Sequence, residues 1–165
     1  MTDAPLMARV IVASNRASAG VYADTSGPIL VAGLRALGCV VDEPEVVPDG
    51  EPVEVALRVA VAFGFDVVLT SGGTGCTPTD ETPERTRRVL DFEIPGIAEA
   101  IRAYSRDRVP TSVLSRGLAG VASRTLVVNL PGSTGGVRDG LAVLGPILGH
   151  ALAQLRGAGD HSPAP

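Results

Sequence analysis

Aromatic side chains make up only 3% of this 165-residue chain, so a core has to come from the aliphatic share of its 45% hydrophobic content. Val, Leu, Ile and Ala are the usual filling of buried parallel strands, which favours an α/β architecture over a β-sandwich. Cysteine is scarce as well. Cys39 and Cys76 lack metal-ligand spacing and are too few for a disulfide framework, so reduced thiols and no zinc are expected. Positive charge is not in excess: the formal net charge is −4, with no Lys/Arg run and no interleaved aromatics, which leaves no footprint for nucleic acid. No apolar stretch is long enough to span a bilayer, and the start MTDAPLMAR lacks the continuous apolar segment of a signal peptide. A soluble, cytoplasmic protein without a membrane or nucleic-acid partner is the expectation. The length fits a single domain over 9–156, with a flexible N-terminus at 1–8 and a disordered tail at 157–165.

The apolar runs that are present alternate with helical spacings. Arg9 to Ala13 reads as a buried first strand, Val67 to Leu69 as the third, and Thr125 to Val128 as the fourth. Val40 to Val47 reads as a kinked or edge strand, because Pro44 cannot donate to a central ladder. Helices are predicted after Thr25 or Ser26 as cap, over 51–63, over 83–90, from Pro95 through Tyr104, and from Val137 to Leu155 with Pro146 as a kink or restart. The stretch from Arg108 to Gly120 fits neither pattern. Strands alternating with helices call for a parallel sheet with ligands beyond the carboxyl ends of its strands. Ser14-Asn15-Arg16, Asp49, the loop from Ser71 to Asp80 and Pro131-Gly132-Ser133 each follow a proposed strand, so that geometry gathers all four on one edge.

The residues at that edge suit phosphate. Ser71-Gly72-Gly73-Thr74-Gly75 can turn sharply and bring several N–H groups to phosphate oxygens, and Pro131-Gly132-Ser133 begins a second glycine-rich loop. Thr82 is a candidate N-cap with Pro83 at the first helical position, and Glu84 and Asp80 add negative charge nearby. Asp49 and Asp80, each unremarkable alone, can together hold Mg²⁺ beside a polyphosphate. Arg16 and Arg116 are either solvated charges or forks onto phosphate. Cys76 has no His partner and reads as a bystander, and His150 and His161 show no catalytic pattern.

With these residues assembled, the chain resembles the MoaB/Mog family of molybdenum cofactor biosynthesis, in its molybdopterin adenylyltransferase branch. The match runs from Val10 to Leu155 and is most specific in Thr70 to Gly75, Asp80, Thr82-Pro83-Glu84 and Asn129-Leu130-Pro131-Gly132-Ser133. Supporting matches include Arg16-Ala17-Ser18, Gly20-Val21-Tyr22, Asp24 and Leu114-Ser115-Arg116. The resemblance implies a three-layer α/β sandwich, mostly parallel with helices on both faces, assembled as a homotrimer. It implies transfer of AMP from ATP to the terminal phosphate of molybdopterin, with Mg²⁺, release of pyrophosphate, and hand-over to a molybdenum-insertion enzyme. Asp49 and Asp80 match the acidic positions near ATP and Mg²⁺, while Ser14, Arg16, Ser71 to Gly75, Thr82, Glu84, Ser115, Arg116 and Pro131 to Ser133 match the substrate pocket. Asn15 stands where many relatives have Asp, Thr79 where many have Arg, and Ser133-Thr134-Gly135 where many have a lysine, with Arg138 as a nearby cation. These departures motivate a second reading, a non-catalytic paralogue that binds molybdopterin as carrier or assembly partner.

Overall fold

The computed structural model describes residues 4–157. In chain order the elements are β1 (Leu6–Ala13), α1 (Asn15–Ser18), α2 (Ser26–Ala36), β2 (Cys39–Val41), β3 (Glu45–Val47), α3 (Glu51–Phe63), β4 (Val67–Ser71), α4 (Thr82–Arg87), β5 (Phe92–Glu93), α5 (Pro95–Tyr104), a 3-10 turn (Pro110–Leu114), β6 (Ala119–Ala122), β7 (Thr125–Leu130) and α6 (Thr134–Leu155). The strands form one seven-stranded sheet in the order β2-β1-β4-β7-β6-β5, with β3 also paired to β1. Pairings among β1, β2, β3, β4 and β7 are parallel, and only β5 and β6 run antiparallel to their neighbours.

Alternation along the central strands divides the core in two. Val10, Val12, Leu69, Val128 and Leu130 point to one face, where they pack with Leu30 and Leu34 of α2, Ile97 and Ile101 of α5, and Leu144, Leu148 and Leu152 of α6. Ile11, Val68 and Val127 point to the other, against Val53, Leu57 and Ala60 of α3. Helices on both faces of a mostly parallel sheet make a three-layer α/β sandwich, as expected.

Several boundaries differ from the sequence reading. Strand β1 begins at Leu6, so residues 6–8, expected in the flexible N-terminus, lie in the sheet, where they pair with β2. Residues 158–165 of the expected tail lie outside the described residues. The Val40–Val47 strand is split around Pro44 into β2 and β3, both on β1 at the sheet edge. Helix α2 is capped by Asp24, whose Oδ1 accepts from the backbone N of Ser26 and Gly27 at 3.1 and 3.0 Å, and not by the Thr25 side chain. A single helix α6 runs through Pro146 without restarting, because its buried positions Leu144 and Leu148 anchor it on both sides of the proline. Arg156, just past α6, donates to Ala4 O and Pro5 O and forms an ion pair with Asp66, at 2.7 to 2.9 Å throughout. Burial works against the charged form of Asp66, yet Arg156 and the Met7 N–H hold its pKa below the usual value.

Candidate functional site

The four polar clusters meet at the carboxyl ends of β1, β3, β4 and β7, where two clefts open on either side of the glycine loop. The first, about 400 Å³ and mainly polar, is lined by Ser14, Asn15, Arg16, Tyr22, Asp49 and Thr79 among others. The second, about 520 Å³ and more apolar, is lined by Thr74, Gly75, Ile101, Leu114, Ser115, Pro131 and Ser133 among others. Gly72, Gly73, Asp80 and Gly132 belong to both walls.

Short local bonds hold this edge. Ser14 N donates to Val47 O at 2.9 Å, tying the end of β1 to β3. Its hydroxyl accepts from Ala17 N at 3.1 Å, capping α1, and lies 3.0 Å from the Tyr22 hydroxyl. The Arg16 guanidinium sits 5.2 Å from the Tyr22 ring centroid, a cation–π distance. Asn15 and Asp49 bind each other reciprocally, Asn15 N donating to Asp49 Oδ2 at 3.1 Å and Asp49 N to Asn15 Oδ1 at 3.0 Å. An aspartate at position 15 would accept the same bond but set a second negative charge beside Asp49. Burial pushes the Asp49 pKa above its ordinary value, opposed by the Asn15 N–H and aided by the charges of Asp80 and Glu81.

The loop after β4 needs its glycines. Gly72 and Gly73 take φ of +95° and +65°, which few other residues tolerate. Gly72 N donates to Leu130 O at 3.1 Å, bringing the first glycine loop against the second. Asp80 folds the loop back on itself: its Oδ2 accepts from Thr77 N at 2.9 Å and Thr77 Oγ1 at 2.7 Å. Ser71 is buried, with its Oγ 2.9 Å from Ser26 Oγ and 3.1 Å from Pro131 O, so it joins α2 to the second loop. Ser133 accepts from Gly136 N at 3.0 Å and caps α6.

Three expected ligand contacts are placed differently. Arg116 is engaged by the protein itself: Nε donates to Gly75 O at 2.8 Å, Nη2 to Asp80 O at 2.7 Å, and Nη1 pairs with Glu84. Its planar donors are matched to loop carbonyls, so it braces the glycine loop from behind. Glu84 is correspondingly held in that pair; burial opposes its charge, but Arg116 lowers its pKa below the usual value. Thr82 is not the N-cap, a place taken by Glu81; it is the first helical residue, fully buried, with its N donating to Gly73 O at 3.0 Å. Neither Arg116, Glu84 nor Thr82 lines either cleft, and the exposed Arg138 lines neither.

Sequence reasoning missed the far wall of the second cleft, made by Arg102, Ser105, Val109, Thr111, Ser112 and Asp139. Val109, Thr111 and Ser112 lie on or beside the 3-10 turn, which has no apolar period to read, and Arg102, Ser105 and Asp139 come from the end of α5 and from α6. In the first cleft Asp24 and Tyr22 were noted only as motif matches, and the buried Ser26 as a possible cap.

An open, mostly parallel α/β sheet with polar loops gathered at the carboxyl ends of its strands is the architecture of a ligand-binding domain of the doubly wound class. The sequence profile described as "Probable molybdopterin binding domain" matches residues 9–150, and the chain belongs to that family. It is 40% identical over 152 residues to the molybdenum cofactor biosynthesis bifunctional protein of Chlorobaculum tepidum, which covers 91% of this chain and 48% of that protein. It is 40% identical over 138 residues to the molybdopterin adenylyltransferase of Haemophilus influenzae, covering 80% and 69%. The solved structure of the molybdopterin biosynthesis Mog protein from Mycobacterium ulcerans is 52% identical and superposes with a TM-score of 0.90, over 94% of this chain and 99% of that one. The chain spans about half the length of the two bifunctional relatives it matches. Among the described residues no helix is long and apolar enough to cross a membrane.

Proposed function

We propose that the protein is an adenylyltransferase of molybdenum cofactor biosynthesis, joining AMP from ATP to the terminal phosphate of molybdopterin and releasing pyrophosphate. The observation that carries this reading is the shared wall: Gly72, Gly73, Asp80 and Gly132 border a polar cleft on one side and a more apolar one on the other. Two ligands seated in separate clefts would meet there. The polar cleft suits the nucleotide and the apolar one the pterin, with their phosphates converging on the glycine loop.

In this reaction an oxygen of the pterin phosphate attacks the α-phosphorus of ATP, the bond from that phosphorus to the β-phosphate oxygen breaks, and pyrophosphate departs. A phosphate oxygen already carries negative charge, so no general base is required. The chain supplies alignment and charge compensation. Gly72, Gly73 and Gly132 of the two glycine loops line the shared wall, Arg116 keeps the first loop in shape, and Arg16 offers positive charge in the polar cleft.

The donor set fits magnesium. Among the described residues there is no cluster of three or more His, Cys, Asp or Glu side chains suited to a metal. Asp49 and Asp80 are two carboxylates on one cleft, and Mg²⁺ is typically held by one or two carboxylates with substrate phosphates completing its shell. Bound there, Mg²⁺ would neutralise charge on the polyphosphate. Burial, and after it the charges of Asp80 and Glu81, disfavour the ionised Asp49, and a bound cation would offset that cost.

The purified protein, given molybdopterin, Mg²⁺ and ATP labelled at the α-phosphate, is expected to form adenylylated pterin. Labelled product missing from that mixture sinks the reading. Pterin binding without Mg²⁺-dependent ATP binding, measured by calorimetry, would instead support the carrier role; both carboxylates and the adenylyltransferase names of relatives favour the enzyme. We also infer a cytoplasmic homotrimer that hands its product to a molybdenum-insertion enzyme. Light scattering at micromolar concentration should give three times the chain mass, and a monomer overturns that assignment.

A further inference from the structure

Among the described residues one buried side-chain polar atom has no hydrogen-bond partner, the hydroxyl oxygen of Thr82. A hydroxyl withdrawn from water and left unpaired destabilises the fold that holds it. Valine has the same shape without that penalty, so folding alone gives no reason for threonine here.

The surroundings of this hydroxyl point to its use. Thr82 Oγ1 presses on the open side of the Gly73 Cα, where a Cβ would overlap it, and Asp49 Oδ1 lies against the same side. Gly73 borders both clefts. The other oxygen of Asp49, Oδ2, is held by Asn15 N at 3.1 Å, so Oδ1 is the one turned toward Gly73 and Thr82. The unpaired hydroxyl and the carboxylate oxygen thus border the same space beside Gly73.

We propose that Thr82 is a positioning residue for Asp49, its hydroxyl donating to Asp49 Oδ1 across the space left by Gly73 when metal and nucleotide engage that carboxylate. The inference rests on the adenylyltransferase reading and deepens it: Thr82, matched by resemblance to the substrate pocket, acts through Asp49 without touching substrate. The unpaired hydroxyl of the free protein gains its partner in the complex. Binding therefore gains from a group that weakens the free fold.

The test compares Thr82→Val and Thr82→Ser with the wild type, by thermal melting without ligand and by calorimetric titration with Mg-ATP. Thr82→Val should melt at the wild-type temperature or a few degrees above it, while its Kd for Mg-ATP rises about tenfold, the effect of one hydrogen bond to a charged group. Thr82→Ser should bind within about threefold of wild type. If the valine variant melts several degrees lower, the hydroxyl already serves the free fold and the proposal is overturned; unchanged Mg-ATP affinity overturns it equally. Should Thr82→Val fail to fold, Thr82→Ser against Thr82→Ala isolates the same hydroxyl, with serine expected to bind about tenfold tighter. A wild-type protein that does not bind Mg-ATP defeats both the adenylyltransferase reading and this inference, whereas wild-type binding with indifferent variants defeats only the role of Thr82.

Discussion

Asp49→Asn should lower the rate of adenylyl transfer by about 100-fold or more while leaving the protein folded, because it removes the charge that a metal–nucleotide complex needs and keeps the shape. Asparagine can still accept from Asn15 N through its carbonyl oxygen, and the Asp49 N–H to Asn15 Oδ1 bond is untouched. The charged aspartate is itself unfavourable to the fold. Its folded pKa lies above the unfolded value, so its contribution to stability is fully present below the unfolded pKa and is lost as pH rises through the folded one. At neutral pH the asparagine variant should therefore melt at the wild-type temperature or slightly above it. Activity gives the opposite pH dependence: kcat/KM for Mg-ATP, which reports the free enzyme, should fall as pH drops through the raised pKa of Asp49, at a higher pH than for a free aspartate. Rates across pH and a melting curve on the same preparation check both statements. A variant that transfers AMP at the wild-type rate would remove Asp49 from the mechanism.

Gly72→Ala should cost about 2–4 kcal/mol of stability and lower the melting temperature by about 5–15 °C, with transfer lost at assay temperatures near the new midpoint. Two causes add. The backbone sits at φ +95°, which a residue with a Cβ adopts only under strain. A Cβ there would also run into the carbonyl oxygen of Ala13, a backbone atom of β1 with no rotamer to yield. The loop would move away from β1, taking with it the bond from Gly72 N to Leu130 O that sets the spacing of the two glycine loops. Gly135, whose Cβ would meet nothing within 4 Å, is the control: alanine there should melt within a degree or two of wild type. Equal melting of the two variants would show that the approach of Gly72 to Ala13 is not a constraint.

The parts legible in the sequence are those whose physics is local. Strands β1, β4 and β7 are continuous aliphatic runs because both of their faces are covered, and that pattern survives without knowledge of their neighbours. Their order along the chain was enough to bring Ser14, Asp49, Ser71 and Gly132 to one edge. Strands β5 and β6 were invisible, because Phe92-Glu93 is too short for a period and Ala119-Gly120-Val121-Ala122 is made mostly of small residues. The far wall of the second cleft was hidden for a similar reason, since a 3-10 turn with no buried residue leaves no apolar pattern. The surroundings of Arg116 were not legible either: its place after Ser115 says nothing of where a long side chain points, and three acceptors, two from the folded loop and one from α4, decide that. Thr82 shows the same limit from the other side. Its motif was recognised, but its burial beneath Gly73 exists only in three dimensions.

The Arg156 clasp has a consequence for how such a domain can be combined with others. By holding Ala4 O, Pro5 O and Asp66 together, it brings the two ends of the described chain into contact at the amino-terminal edge of the sheet, opposite the clefts. This closeness would let a short peptide close the chain into a ring, to be reopened elsewhere, so circular permutants can move the point of attachment around the fold while the carboxyl edge of the sheet keeps its four converging loops.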